Sequence, residues 1–182
     1  MVYKDELTRS MTWLGKQPDT LFLGQAVQCS GTAMTGTLKD IPPEKLIEMP
    51  VCEDMQMGIS TGLALNGFTP ISIFPRWNFL LLATNQLVNH LDKVPLMADS
   101  PFRPKVIIRT GIGSEYPLHP QYQHVGDFTE AFRFMCKTIN IVRLDEPEQI
   151  FEAYCKAYAS EKPTILIEWS DAYDPTWRVK LL

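Results

Sequence analysis

The chain has 182 residues, 45% of them hydrophobic and 21% charged, the balance of a globular protein with room for one sizeable domain. Its formal net charge is −4 and no Lys/Arg run exceeds two residues, so there is no electrostatic footprint for a nucleic-acid backbone or an anionic bilayer. The polar opening MVYKDELTRS and a longest apolar run of only Phe79 to Ala83 give neither a signal peptide nor a membrane span, which points to a cytoplasmic protein.

Leu7, Met11 and Leu14 recur at helical spacing near the start, and Thr20 to Val27 then reads as a strand. The Gly/Thr-rich stretch Ser30 to Thr37 is a loop. Glu53 to Asn66 predicts a helix stopped by Gly67, with Gly58 and Gly62 giving it a small-residue face suited to close packing against another backbone. Thr69 to Phe74 predicts a strand, and Asn78 is placed to cap a helix running to about Asp92, cored by Leu80, Leu87 and Leu91. Lys105 to Thr110 predicts a further strand, Asp127 to Phe134 a short helix and Asn140 to Leu144 a strand. Asp145 and Glu148 have the spacing of a capping box opening a helix over Glu146 to Ser160, whose buried face is Ile150, Phe151, Tyr154, Ala157 and Tyr158. Thr164 to Trp169 is the last strand. Strands alternating with helices predict a three-layer α/β/α fold with a mostly parallel, doubly wound sheet, in a single domain over 1–182 with its core at about 3–174 and a tail at 175–182. Ligands of such sheets gather beyond the carboxyl ends of the strands.

The four cysteines, Cys29, Cys52, Cys136 and Cys155, are too scattered for a disulfide framework or a zinc site and read as reduced, mostly buried thiols; no metal site is expected. Dinucleotide, triphosphate, serine hydrolase and zincin motifs are all missing from the sequence. Glu53 opens its helix after an apolar approach broken by Pro50. An acid there commonly serves the helix dipole, yet Asp54 already does so. Phe79 falls on a stripe with Ala83, Gln86 and His90, over 100° from the leucine stripe, and so faces either a second packing surface or a flat ligand. His119 and His124 share one long loop, where imidazoles can bind anions or move protons. Arg76 and Arg109 sit at strand ends and could grip a substrate carboxylate or phosphate, or serve as salt-bridge partners.

The stretch from Met49 to Gly67, MPVCEDMQMGISTGLALNG, followed by the Pro70 to Phe74 strand and Pro75-Arg76-Trp77-Asn78-Phe79, resembles the pyrimidine-binding domain of the transketolase family. Within that family it is similar to the beta subunits of 2-oxo acid dehydrogenase first components, the pyruvate dehydrogenase-like group, over about residues 3 to 174. The resemblance implies that Glu53 bonds N1′ of the aminopyrimidine of thiamine diphosphate, that Phe79 stacks on that ring, that Pro75 borders it and that His124 handles substrate. A carboxylate at N1′ favours the tautomer whose imine nitrogen removes the thiazolium C2 proton, which is why that residue type is needed.

Two departures shape the expectation. Beta subunits usually continue into a further domain, and the Gly-Asp-Gly...Asn pattern that holds Mg²⁺ and the diphosphate is not in this sequence, since Gly126-Asp127-Phe128 is no substitute. The resemblance therefore implies a split active site shared with a diphosphate-binding alpha-like subunit that holds Mg²⁺, in an α2β2 assembly acting on a 2-oxo acid or ketose. The reaction expected is 2-oxo acid decarboxylation or two-carbon ketol or acyl transfer. The alternatives are a transketolase-like or acyloin-type synthase half, a non-catalytic structural or regulatory paralogue, and a flavodoxin-like binding module, which leaves the Glu53 to Phe79 constellation unexplained.

Overall fold

The computed structural model describes residues 2–97, 101–115 and 120–174. Its elements follow the order α1 (Tyr3–Gly15), β1 (Thr20–Gly24), β2 (Leu46–Glu48), α2 (Glu53–Leu65), β3 (Thr69–Phe74), α3 (Trp77–Leu80), β4 (Ile107–Ile112), α4 (Thr129–Met135), β5 (Asn140–Arg143), α5 (Pro147–Ala159) and β6 (Thr164–Trp169). The six strands form one sheet in the order β2-β1-β3-β4-β6-β5, and each neighbouring pair is parallel. Every residue of β3 and β4 is buried, as strands covered on both faces must be. Side chains alternate between two cores. Phe22, Ile71, Ile73, Ile107 and Leu166 pack beneath α1 and α5, while Phe74, Ile108, Ile165 and Ile167 pack beneath α2, α3 and α4.

The element boundaries depart from expectation where a local contact overrides the pattern. β1 stops at Gly24, where a Cβ would lie 2.6 Å from the Ile73 carbonyl oxygen, and Ala26 then turns the chain away with φ 57°. Asn78 does not cap a helix. Arg76 occupies the cap position in extended conformation, and the Asn78 side-chain oxygen instead accepts a bond of 3.3 Å from the Gly126 amide. The segment after it is broken into α3, a 3-10 turn at Leu81–Ala83 and a π-helix at Gln86–Leu91. That break disposes of the expected off-core stripe, since Ala83 is buried with the leucines, Phe79 is half-buried and His90 is exposed. The capping box is not formed either. Pro147, with no N–H to satisfy, starts α5, and the Asp145 carboxylate is taken by the Trp169 indole N–H at 2.8 Å. Cys29 and Cys52 are exposed rather than buried, because both lie in loops at the strand ends.

The π turn ends with the Asp92 amide bonded to the Leu87 carbonyl at 2.9 Å, and the Asp92 carboxylate lies wholly inside the protein. There it accepts bonds from the Lys137 amide (2.8 Å), the Thr138 amide (2.7 Å), the Thr138 hydroxyl (3.1 Å) and the Lys93 ammonium (2.8 Å). Burial pushes the carboxyl up, but these donors outweigh it and hold it below the ordinary carboxylate range. A group held low in the fold stabilises above its unfolded value of about 3.9 and loses that contribution as pH falls through its folded value. Asp92→Ala, which strands two backbone amides, is expected to cost about 1–3 kcal/mol at pH 7 in urea unfolding. Its penalty relative to the parent should shrink below about pH 3.9; a penalty constant down to pH 2 would contradict this account.

Candidate active site

The connection leaving β1 runs to one side of the sheet and that leaving β3 to the other, so the carboxyl ends of these two adjacent strands open a crevice at the switch point. Residues at those ends line a narrow cleft of about 10 Å³: Gln25 beyond β1, Ile73, Phe74 and Pro75 closing β3, Glu53 at the start of α2, and Phe79 from α3. Three of the residues singled out from sequence, Glu53, Pro75 and Phe79, are thus brought to one place although 26 positions separate the first from the last.

Two polar side chains, Gln56 and Glu48, set this geometry. The Gln56 amide nitrogen, one turn beyond Glu53, bonds the Ser72 hydroxyl (3.1 Å) and the Ile73 (3.0 Å) and Leu23 (3.4 Å) carbonyls, which fixes the rotation of α2 against both strands. The Glu48 carboxylate accepts from the amides of Ala26 (2.6 Å), Val27 (2.9 Å) and Gln28 (2.8 Å), holding the turn that presents Gln25. Neither residue was foreseen, although a glutamine on the buried stripe of a helix facing a strand serine was a readable signal. The Glu53 side chain itself is 8% exposed and makes no hydrogen bond or ion pair with any described residue.

His124 lies beside the cleft. Its ring packs on Phe79 with centroids 4.9 Å apart, its backbone is left-handed with φ 66°, and its Nδ1 is buried without a hydrogen-bond partner among the described residues. Arg76 holds that position, donating through Nη1 to the carbonyls of His124 (2.9 Å), Gly113 (2.9 Å) and Ser114 (3.5 Å). His119 lies outside the described residues.

Arg109 does not reach the site, which corrects its reading as a substrate ligand. It is fully buried within the sheet's first core, pairing with Glu168 through Nε (2.5 Å) and Nη2 (3.1 Å) and donating to Thr37 (2.8 Å) and Tyr173 (3.0 Å), so its donors are spent inside the fold. A groove of about 580 Å³ between β5 and α5 is lined by residues such as Arg143 and Lys156. It lies at the sheet edge, and none of the unpaired buried side-chain atoms found among the described residues borders it.

A family model described as the pyrimidine-binding domain of transketolase matches residues 7–175. The chain belongs to that family. This pyrimidine-binding domain is 26% identical to the mitochondrial pyruvate dehydrogenase E1 component subunit beta of Ascaris suum, covering 91% of this chain and 46% of that protein. It is 23% identical to the 2-oxoisovalerate dehydrogenase subunit beta of Bacillus subtilis, covering 95% and 53% respectively. The domain thus spans about half the length of the curated relatives it matches. Among solved structures, a split-gene transketolase described as an inactive beta4 tetramer superposes with a TM-score of 0.71 at 18% identity, over 92% of this chain and 51% of that one. Transketolase from Campylobacter jejuni superposes with a TM-score of 0.67 at 16% identity, over 91% and 25%. These likenesses establish the doubly wound fold.

Gly58 and Gly62 do not receive another backbone among the described residues. A Cβ at Gly58 would meet only the Gln86 side chain at 3.8 Å, and one at Gly62 would meet nothing within 4 Å.

Proposed function

We propose that this chain is the pyrimidine-binding half of a thiamine diphosphate-dependent enzyme of 2-oxo acid decarboxylation or two-carbon transfer, and that it works with a diphosphate-binding subunit. The observation that carries the reading is Glu53, a carboxylate buried in the switch-point cleft without a partner among the described residues. A buried carboxylate without a donor is costly, so the site is complementary to a ring that brings its own N–H or protonated nitrogen. The aminopyrimidine matches that chemistry: Glu53 would hold a proton at N1′, with Phe79 and Pro75 bounding the flat ring in a site completed by the partner. Bound in this way, the cofactor supplies an acidic C2–H and an electron sink for C–C cleavage. His124, packed on Phe79 with Nδ1 unpaired among the described residues, is placed to hold or move a proton on substrate next to that ring.

Partner association is supported by the outward face of α2. Met55, Ile59 and Gly62 follow at helical spacing with Val51 before them, and Leu65, Phe68 and Leu82 are also exposed, an apolar surface of the kind that marks an interface. No Gly-Asp-Gly...Asn sequence occurs in these 182 residues, so Mg²⁺ and the diphosphate would be held by the partner in an α2β2 assembly. The test is calorimetric titration of thiamine diphosphate with Mg²⁺ into the chain alone and into its complex with an alpha-like subunit that carries this motif. Saturable binding by the complex only is expected. Tight binding by the chain alone, or none by the assembled complex, would refute the shared site.

A further inference from the structure

A second cavity of about 360 Å³ adjoins the cleft and shares Gln25, Pro75 and Phe79 with it; its other lining residues include Thr32, Arg76, Ser114 and Ser170. We infer that this cavity is an oxyanion site, in which Arg76 takes the carboxylate or phosphate of the substrate while the reacting carbon faces the Glu53 cleft. The assignment to substrate rests on the function proposed above; the anion site itself does not.

Four features lead to it. The Arg76 guanidinium is half-buried and spends only Nη1 on carbonyls, leaving Nε and Nη2 without hydrogen-bond partners among the described residues. Burial pulls its pKa down and the charge of Asp171 only partly offsets this, so a further anion would be stabilised there. The Ser114 and Ser170 hydroxyls in the same lining have no hydrogen-bond partner among the described residues, so they supply further donors at the place where the anion would lie. Finally, the two cavities are opposite in charge. Glu53 repels an oxyanion from the first and Arg76 attracts it into the second, so a substrate bearing both a carbonyl and an anionic group can enter in only one orientation across Phe79.

The test is an NMR titration of the full chain, labelled with ¹⁵N, with sodium pyruvate, with inorganic phosphate and with sodium chloride at matched ionic strength. Saturable shifts at the Arg76 Nε–H and the Ser114 and Ser170 amides are expected with pyruvate, phosphate or both, and not with chloride. Saturation by pyruvate alone would assign a carboxylate and by phosphate alone a phosphorylated substrate. Arg76→Met should weaken binding tenfold or more, since hydrogen bonds to a charged group are lost. Because that change also releases the His124 carbonyl, Ala33→Phe, which adds a ring to the cavity lining and leaves Arg76 in place, should weaken it similarly. Shifts no larger than those of chloride, or binding indifferent to both substitutions, would overturn the inference. Cofactor titration of the assembled complex separates the two readings: cofactor bound without anion shifts removes only this one, and anion shifts without cofactor binding removes only the other.

Discussion

Glu53→Gln is expected to lower kcat of the assembled complex by roughly 10²–10⁴-fold, the usual worth of a positioned acid or base. The folded chain should scarcely notice. The side chain makes no hydrogen bond or ion pair with any described residue, and glutamine matches its volume, so the change removes a buried charge and breaks no contact. Unfolding stability should stay equal or rise slightly, which separates this substitution from one that merely damages α2. Gln56→Leu is the useful contrast, because it cuts the bonds to Ser72 and Ile73 that fix the helix and should lose stability as well as activity. The measurement is steady-state turnover with saturating cofactor, alongside a thermal melt of each variant. Activity within twofold of the parent in a Glu53→Gln complex that assembles normally would leave Glu53 without the role assigned to it and favour a structural subunit.

The framework of the domain was legible because burial on both faces writes itself into the strands. TPISIF and TILIEW have uninterrupted cores, and the structure begins and ends β3 and β6 at those residues. β2 escaped notice because three residues, Leu46–Glu48, form an edge strand after a proline-containing turn and bury little. The apparent helix from Asn78 to Asp92 misled for a different reason: its leucines keep helical spacing, while the hydrogen-bond ladder changes from 3.6 to wider turns so that Asp92 can follow Leu91 inward. The site was half legible. A carboxylate and an aromatic could be chosen by type, but only the strand order, with β1 and β3 adjacent at the reversal, brings their segments together. The fate of Arg109 depended on the same unknown. Arg109 pairs in register with Leu166, which places Glu168 two residues on and on the same face, yet nothing local to KVIIRT or TILIEW says that these strands are neighbours.

That buried pair gives the largest expected effect on stability. Arg109→Met should cost about 3–5 kcal/mol, because removing one partner leaves the Glu168 carboxylate uncompensated in the core. The arginine is joined to more than the glutamate: Glu168 also accepts from the Tyr154 hydroxyl at 2.5 Å and from the Tyr173 hydroxyl, and Arg109 Nη2 donates to Tyr173 at 3.0 Å. Since a domain of this kind is stable by only about 5–15 kcal/mol, a large shift in the urea midpoint is expected, or failure to fold. The double variant Arg109→Met/Glu168→Leu should recover part of the loss, as apolar replacement of a buried ion pair often does, although the tyrosine hydroxyls still lose their partners. The parent protein offers a test that needs no variant. Burial, reinforced by the Glu168 charge, raises the Tyr154 and Tyr173 phenols well above their ordinary values. A phenol raised in the fold contributes stability that is complete below its unfolded value of about 10 and is lost as pH rises above it, because the unfolded chain then releases protons that the folded one retains. Stability should therefore fall steeply above about pH 10, and Tyr154→Phe, though less stable at pH 7, should show a shallower fall. A flat alkaline profile in the parent, or no change of slope in Tyr154→Phe, would mean that these phenols ionise in the folded protein and that the network around Arg109 is open to water.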